Sequence, residues 1–113
     1  MNRVRLEKRL LCADIVEVRW NNRSGRERLS TALLEDISAS GACLQMEEKL
    51  AAGITVDLRH GNVRLSGTVK YCVYREIGYF AGVQFSDDGR WSRRSFRPKH
   101  LLDVYGLEHS SRP

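Results

Sequence analysis

The sequence predicts a mainly all-β domain, a six-stranded antiparallel β-barrel followed by one C-terminal α-helix. Three observations lead to this fold class. The chain has 113 residues, a common size for one domain, and 42% of them are hydrophobic, which is enough for a single core. Apolar and polar residues alternate along the middle of the chain, as they do in half-buried strands. Short turn signals separate six such segments, and the alternation ends after Phe85.

The first three strands are predicted at residues 12–20, residues 29–37 and a short segment around Leu44. Asparagine, serine and glycine residues between Asn21 and Gly25 mark the first connection. Side chains two residues apart leave the same face of a strand, so one face should be buried in the barrel. In the first and third strands that face carries Val16, Val18, Trp20, Ala42, Leu44 and Met46.

The last three strands are predicted at residues 54–60, 63–73 and 79–85, with a hairpin turn at His60-Gly61-Asn62 between the first two. Strict alternation in the middle strand places Lys70 on the polar face. It places Tyr71 and Val73 on the apolar face, together with Val63, Leu65 and Val69.

A single helix is predicted after the last strand. Pro98 suits the first turn of a helix and Gly106 suits its C-terminal cap. Leu101, Leu102 and Tyr105 form one apolar stripe between them. We therefore expect three parts: a flexible arm at residues 1–10, a barrel with its helix at residues 11–107, and a tail at residues 108–113.

Composition favours the cytoplasm. No apolar run approaches the roughly 18 residues of a membrane span, and the basic N-terminus lacks the apolar region of a signal peptide. The three cysteines, Cys12, Cys43 and Cys72, are odd in number and form no CxxC pair. We expect them to be small buried apolar residues, with no metal or redox role.

Positive charge is concentrated in two segments. The net charge is +5, with +3 in residues 1–9 and +5 in residues 90–99. This distribution suits a compact anionic partner at least as well as long nucleic acid, which we consider an unlikely partner. The run RWSRRSFRPK at residues 90–99 fits an RNA or single-stranded DNA surface. It equally fits a helix whose aromatic residues pack on the barrel, or a segment that closes over a bound ligand.

Two short motifs carry the candidate chemistry. Arg5 and Arg9 form an RxxxR motif just before the first strand, and Asp36, Ser38 and Gly41 form a DxSxxG motif between the second and third strands. Each motif alone is weak, because RxxxR is common in basic tails and Asp and Ser often cap turns. Together, about 26 residues apart on a six-stranded barrel, they resemble the PilZ domain family from Arg5 to about Tyr105.

The resemblance implies binding of cyclic di-GMP, a ring with two phosphates and two guanines. Arg5 and Arg9 would grip a phosphate or the O6/N7 edge of guanine with their planar forks. Asp36 would accept hydrogen bonds from guanine N1–H and N2–H₂, with the Ser38 hydroxyl nearby. Gly41 would let the backbone turn tightly or approach the ligand without a Cβ.

Three further arm residues are weaker candidates: Arg3, Val4 and Lys8. The family often has another arginine where this chain has Val4, a position that bears on whether one or two ligands bind.

The predicted function is therefore that of a stand-alone cyclic di-GMP receptor. Ligand binding would change its surface and regulate a downstream protein in motility, exopolysaccharide synthesis or related signalling, and no cofactor is expected. The alternatives are a PilZ-like protein-interaction module without nucleotide binding, and a small basic barrel that binds RNA or single-stranded DNA. No enzymatic function is predicted, because the sequence has no metal-binding histidine spacing, phosphate loop or nucleophile elbow.

Overall fold

Strands make up most of the part of the chain that the computed structural model describes, namely residues 9–86 and the backbone of residues 102–103. Their bounds are β1 Leu10–Asn21, β2 Glu27–Ile37, β3 Gly41–Met46, β4 Thr55–His60, β5 Val63–Arg75, β6 Gly78–Phe85 and β7 Leu102–Asp103. The six strands predicted from the alternation are all present. No helix that could cross a membrane occurs among the described residues.

The first six strands close into a barrel. They follow the order β1-β2-β3-β6-β5-β4, and β4 pairs again with β1, so every strand has a neighbour on both sides. All pairings are antiparallel, and β1 pairs with β2 from Leu10↔Ile37 to Asn21↔Glu27. The predicted six-stranded antiparallel barrel is confirmed. Closure matters for stability because it leaves few unpaired backbone groups at sheet edges.

The seventh strand lies where the C-terminal helix was predicted. Most of residues 98–106 lie outside the described part of the chain, as do residues 90–99, the tail and the first eight residues of the arm. Leu102–Asp103 are described, and they are a strand that pairs with Leu10 and Leu11. On the edge of β1 that faces away from β2, β4 pairs only with Glu17–Arg19. The backbone groups at the start of β1 are therefore available on that edge, and β7 forms its hydrogen bonds with them.

The barrel interior is apolar, as the alternation predicts. The predicted inward residues of β1 and β3 are all buried, at 8% exposure or less, and so are Val56 and Leu58 of β4. Leu34, Leu44, Val18 and Val69 are among the most deeply buried large side chains. Such burial is the main favourable term in folding, at about 25 cal/mol per Å² of apolar surface.

The hairpin predicted between β4 and β5 is present, and its loop has two residues. His60 pairs with Val63, which leaves Gly61 and Asn62 as the loop. Gly61 has φ of 62°, a backbone conformation that costs a glycine little and other residues more.

A β-bulge in β5 overturns one prediction from the alternation. Val69 pairs with Val83 and Tyr71 pairs with Gly82, so Lys70 is an extra residue without an opposite partner. The extra residue reverses which face the following side chains occupy. Tyr71 and Val73 were predicted to face the core, but they are 47% and 40% exposed. Cys72 packs against the core in their place.

A second bulge lies in β2. Leu34 pairs with Leu44 and Asp36 pairs with Cys43, so Glu35 is the extra residue. Leu34 and Ile37 are both buried, although an odd number of positions separates them. Without this bulge, Asp36 would share the inward face of Leu34. The bulge therefore allows a carboxylate near the end of β2 without burying it in the core.

Candidate ligand-binding site

A pocket of about 450 Å³ lies against the outer face of the barrel where β2, β3, β5 and β6 adjoin. Four residues of the two sequence motifs line it: Arg9, Asp36, Ser38 and Gly41. The residue Arg9 directly precedes β1, and the other three lie at the β2–β3 connection. The antiparallel pairing of β1 with β2, which puts Leu10 opposite Ile37 and Leu11 opposite Asp36, thus brings together two motifs that are about 26 residues apart in the chain.

Arg9 and Asp36 form an ion pair in the lining of this pocket. The Nη2 of Arg9 donates to Oδ2 of Asp36 at 2.7 Å, a distance typical of a charge-assisted hydrogen bond. The Arg9 side chain is 58% exposed and that of Asp36 only 17%. Since the arginine remains largely in solvent, the pair is screened and contributes little to folding stability. It does hold Arg9, near the end of the arm, beside the DxSxxG motif.

Ser38 and Gly41 close the turn between β2 and β3. The Ser38 backbone N–H donates to the Gly41 carbonyl at 2.8 Å, and the Ser38 hydroxyl is 3.4 Å from the same oxygen. Ser38 is 7% exposed. The turn-forming role that the sequence left open for Ser38 is therefore present, while its side chain also lines the pocket.

Gly41 is needed for strand packing. A Cβ on this residue would lie 2.4 Å from the Val83 carbonyl oxygen of β6, closer than Cβ atoms come to such an oxygen in real proteins. Gly41 thus permits a close backbone–backbone approach at the Gly41↔Gln84 pairing, while the approach to a ligand expected from the sequence stays a prediction.

The β5 wall of the pocket comes from the bulge in that strand. Because of the bulge, the consecutive residues Lys70 and Tyr71 both face outward, and both line the pocket. The Tyr71 ring lies over Gly82, since a Cβ there would be 2.2 Å from Cε2 of the ring. Its hydroxyl donates to the Cys43 sulfur on β3. The phenol ring therefore spans from β5 across β6 to β3 as part of the pocket floor.

Burial keeps both members of this hydrogen bond protonated. It raises the pKa of the Cys43 thiol, and the negative charge of Asp36 raises it further. It also raises the pKa of Tyr71, with the neighbouring Cys43 as the next cause. Cys43 is thus a neutral thiol at physiological pH and a poor nucleophile.

The charges in the described lining favour an anion. Arg9 and Lys70 provide two positive charges and Asp36 one negative charge. Residues 9–86 contain no cluster of three or more potential metal ligands. The described lining offers donors for an anion, one carboxylate acceptor and an aromatic ring.

Sequence reasoning missed the β5 wall. It assigned Tyr71 to the core, since alternation gives no sign of a bulge, and did not select Lys70 or Cys43. Gly82 was the available signal, because a glycine inside a strand often marks a close approach by another group. The candidates Arg3, Val4, Arg5 and Lys8 lie outside the described residues, so their contribution stays a prediction.

Comparisons with known proteins agree with this geometry. The family model for the PilZ domain matches residues 4–105. No curated protein matches the chain. A solved structure with a similar fold is that of the K. pneumonia MrkH–c-di-GMP complex, with a TM-score of 0.55 and 18% sequence identity. The match covers 75% of this chain and 45% of that one, so the present chain corresponds to less than half of MrkH.

Proposed function

The chain belongs to the PilZ domain family, and from this premise we propose that it binds cyclic di-GMP in the pocket beside Arg9 and Asp36. The observation that carries the proposal is the convergence of an arginine from the arm and an aspartate from the barrel, 2.7 Å apart at one pocket. Both residues come from the motifs by which the sequence resembles the family.

The two residues would bind different parts of the ligand. A guanidinium has five N–H donors, and Arg9 uses an Nη2 donor on Asp36, so the others can bind a phosphate or the O6/N7 edge of guanine. The Asp36 carboxylate has acceptor capacity beyond this ion pair, and guanine N1–H and N2–H₂ are matching donors. Adenine lacks that pair of donors, so Asp36 would provide selectivity for guanine.

The rest of the arm would complete the site. We propose that Arg5 supplies the second planar fork of the RxxxR motif, while Arg3 and Lys8 add positive charge and Val4 occupies the position that bears on whether one or two ligands bind. Ser38 and Gly41 would support the site by shaping the β2–β3 turn that carries Asp36. The ion pair between Arg9 and Asp36 supports this arrangement, since it holds the base of the arm against the pocket.

The proposed output is a change of surface. Ordering of the arm on the ligand would alter the face that a downstream protein recognises, a disorder-to-order switch without chemistry on the ligand. Motility, exopolysaccharide synthesis and related signalling are the candidate processes. The proposed location is the cytoplasm, supported by three cysteines that are all free thiols.

A melting screen tests the ligand. We expect cyclic di-GMP to raise the melting temperature, because a ligand that binds only the folded state stabilises it by mass action. GMP and cyclic di-AMP at the same concentration should have little effect. No shift with cyclic di-GMP, or equal shifts with all three nucleotides, would contradict the proposal.

Titration calorimetry tests the residues. Arg9→Ala and Asp36→Asn should each weaken binding about 5- to 150-fold, the effect of losing roughly 1–3 kcal/mol. Arg19→Ala is the control, because Arg19 is also an exposed arginine that forms an ion pair, with Glu27, outside this pocket. Equal affinities for all three variants and the wild type would refute the site.

A further inference from the structure

We infer that the hairpin between β1 and β2 is a docking surface for an acidic segment of a partner protein, one that carries carboxylates beside an apolar side chain. This basic hairpin comprises residues 19–29. It lies at the end of β1 and β2 away from the ligand pocket: Asp36 of the pocket pairs with Leu11, whereas Glu27 pairs with Asn21, ten residues further along β1. Ten strand residues span roughly 33 Å, so this surface is separate from the proposed nucleotide site.

The basic hairpin concentrates positive charge. Its charged residues are one acid, Glu27, and four arginines, which give a net charge of +3. The rest of residues 9–86 has six basic and eight acidic side chains, a net charge of −2. Charge is therefore segregated along the described barrel. The resulting field attracts an acidic segment towards this end of the molecule.

Two of the four arginines are available to a partner. Arg19 and Arg28 each pair with a glutamate, at 3.0 Å and 3.2 Å. Arg23 and Arg26 lie in the turn, where both are exposed and neither forms an ion pair within residues 9–86. A guanidinium can grip a carboxylate with two parallel hydrogen bonds, so two neighbouring forks suit a segment with two nearby carboxylates.

The turn that carries these arginines is held by its own hydrogen bonds. The Asn22 side-chain oxygen accepts from the backbone N–H groups of Ser24 and Arg26, both at 3.0 Å. The Asn22 N–H donates to the Arg26 carbonyl, and the Gly25 N–H donates to the Asn22 carbonyl. Because the backbone is already fixed, docking a partner here costs little conformational entropy.

The basic hairpin extends beyond the neighbouring strands and carries an exposed apolar residue. β4 pairs with β1 only at Glu17–Arg19, and β3 pairs with β2 only from Leu33 onwards. In the described part of the chain, the β1–β2 pair thus has no third strand beside residues 20–32. Leu29 lies there opposite Arg19 and is 58% exposed. An apolar side chain of the partner can bury this leucine while its carboxylates bind the arginines.

The same residues fit nucleic acid and membranes less well. Trp20 is the one aromatic residue in the sequence from 19 to 32, and it is 7% exposed, so this surface offers no ring on which a base can stack. Glu27 and Glu48 lie among the arginines and repel a phosphate backbone. Residues 22–26 at the tip contain no apolar side chain that could insert into a bilayer.

A charge swap in the full chain tests the inference. The probe is a short fluorescent peptide of alternating glutamate and leucine, and binding is measured by fluorescence anisotropy. The double variant Arg23→Glu, Arg26→Glu should weaken binding about 10-fold or more, because attraction at two sites becomes repulsion. The same variant should gain affinity for the matching peptide of lysine and leucine, a gain that unfolding cannot produce.

The matched control is the double variant Lys70→Glu, Arg75→Glu. It changes the net charge equally at two exposed residues of β5, one of which lines the ligand pocket, and it should bind the acidic peptide like wild type. The hairpin variant should also bind cyclic di-GMP like wild type, since the two surfaces lie at different ends of β1.

The apolar contact has its own test. Leu29→Ser should weaken binding of the glutamate–leucine peptide about 4- to 20-fold, the effect of losing burial of most of one leucine side chain. It should have no effect on a peptide with serine in place of leucine. Ile77→Ser is the control, because Ile77 is 69% exposed and lies outside the basic hairpin.

Three results overturn the inference: a wild-type chain that does not bind the acidic peptide, equal losses in the hairpin and β5 variants, or no charge swap. Tighter binding of oligothymidylate or of phosphatidylglycerol vesicles than of the peptide, lost in the hairpin variant, also overturns it and assigns the surface to nucleic acid or membrane. The cyclic di-GMP titration is independent of these outcomes, so the proposed function stands or fails separately.

Discussion

Replacing Gly82 by alanine should displace the Tyr71 ring. An ideal Cβ at this position would lie 2.2 Å from Cε2, 2.4 Å from Cζ and 2.8 Å from Cδ2 of that ring. Carbon atoms in contact are normally about 3.5–4.0 Å apart, so the ring must move by more than about 1 Å. The neighbour is a side chain attached at one end, and it can rotate away while the strands stay in place.

The energetic cost of this movement has two sources. Breaking the hydrogen bond from the Tyr71 hydroxyl to the Cys43 sulfur costs about 0.5–1.5 kcal/mol. Forcing the ring away from its preferred rotamer costs about as much again. We therefore expect Gly82→Ala to lower the free energy of unfolding by about 1–3 kcal/mol, the sum of the two.

A double-mutant cycle measured by urea denaturation tests this reasoning. In the Tyr71→Ala background there is no ring to displace, so adding Gly82→Ala should change stability by less than about 0.5 kcal/mol. The difference between the stability costs of Gly82→Ala in the two backgrounds is the coupling energy between the new methyl group and the Tyr71 ring. Equal costs of Gly82→Ala in both backgrounds would show that the ring does not lie over Gly82 and would refute the description of the pocket floor.

Three further predictions concern strand packing, the core and pH. Gly41→Ala should destabilise the barrel by about 2–3 kcal/mol, because the new Cβ meets the Val83 backbone carbonyl and the strands must separate. This destabilisation should also appear in the Tyr71→Ala background. An unchanged urea midpoint would contradict the prediction. Leu34→Ala should cost about 2–5 kcal/mol by the same measurement, since Leu34 is 1% exposed, and a loss below about 1 kcal/mol would mean that the side chain is not tightly packed. Burial, followed by the charges of Asp36, Asp14 and Glu35, raises the pKa of Cys12 from 9.0 to about 12. The unfolded chain therefore loses this proton first, and the stabilisation present below pH 9 should decline as the pH rises from 9 towards 12. The free energy of unfolding, measured under reducing conditions at neutral and alkaline pH, should fall less with pH for Cys12→Ala than for the wild type. An equal fall in both proteins would contradict this prediction.

The two motifs were recognisable because their signals are local. The spacing of Arg5 and Arg9 and the order of Asp36, Ser38 and Gly41 can be read directly from the chain. The arrangement of the strands then follows from alternation, since each strand must bury one face. The local sequence does not show which face of β2 carries the Asp36 side chain. Glu35 is recognised as an extra residue only when β2 is paired with β3.

The sequence by itself thus determined the strands, the apolar interior and the two motifs, because each depends on residues close together in the chain. Only the tertiary structure decided which side chains share the pocket. Lys70 and Tyr71 face it because of the register between β5 and β6, and the Tyr71 ring fits there because Gly82 has no side chain. Pairing register is a property of two strands at once, and a bulge in one strand reverses every later side chain, so no period in a single strand reveals it.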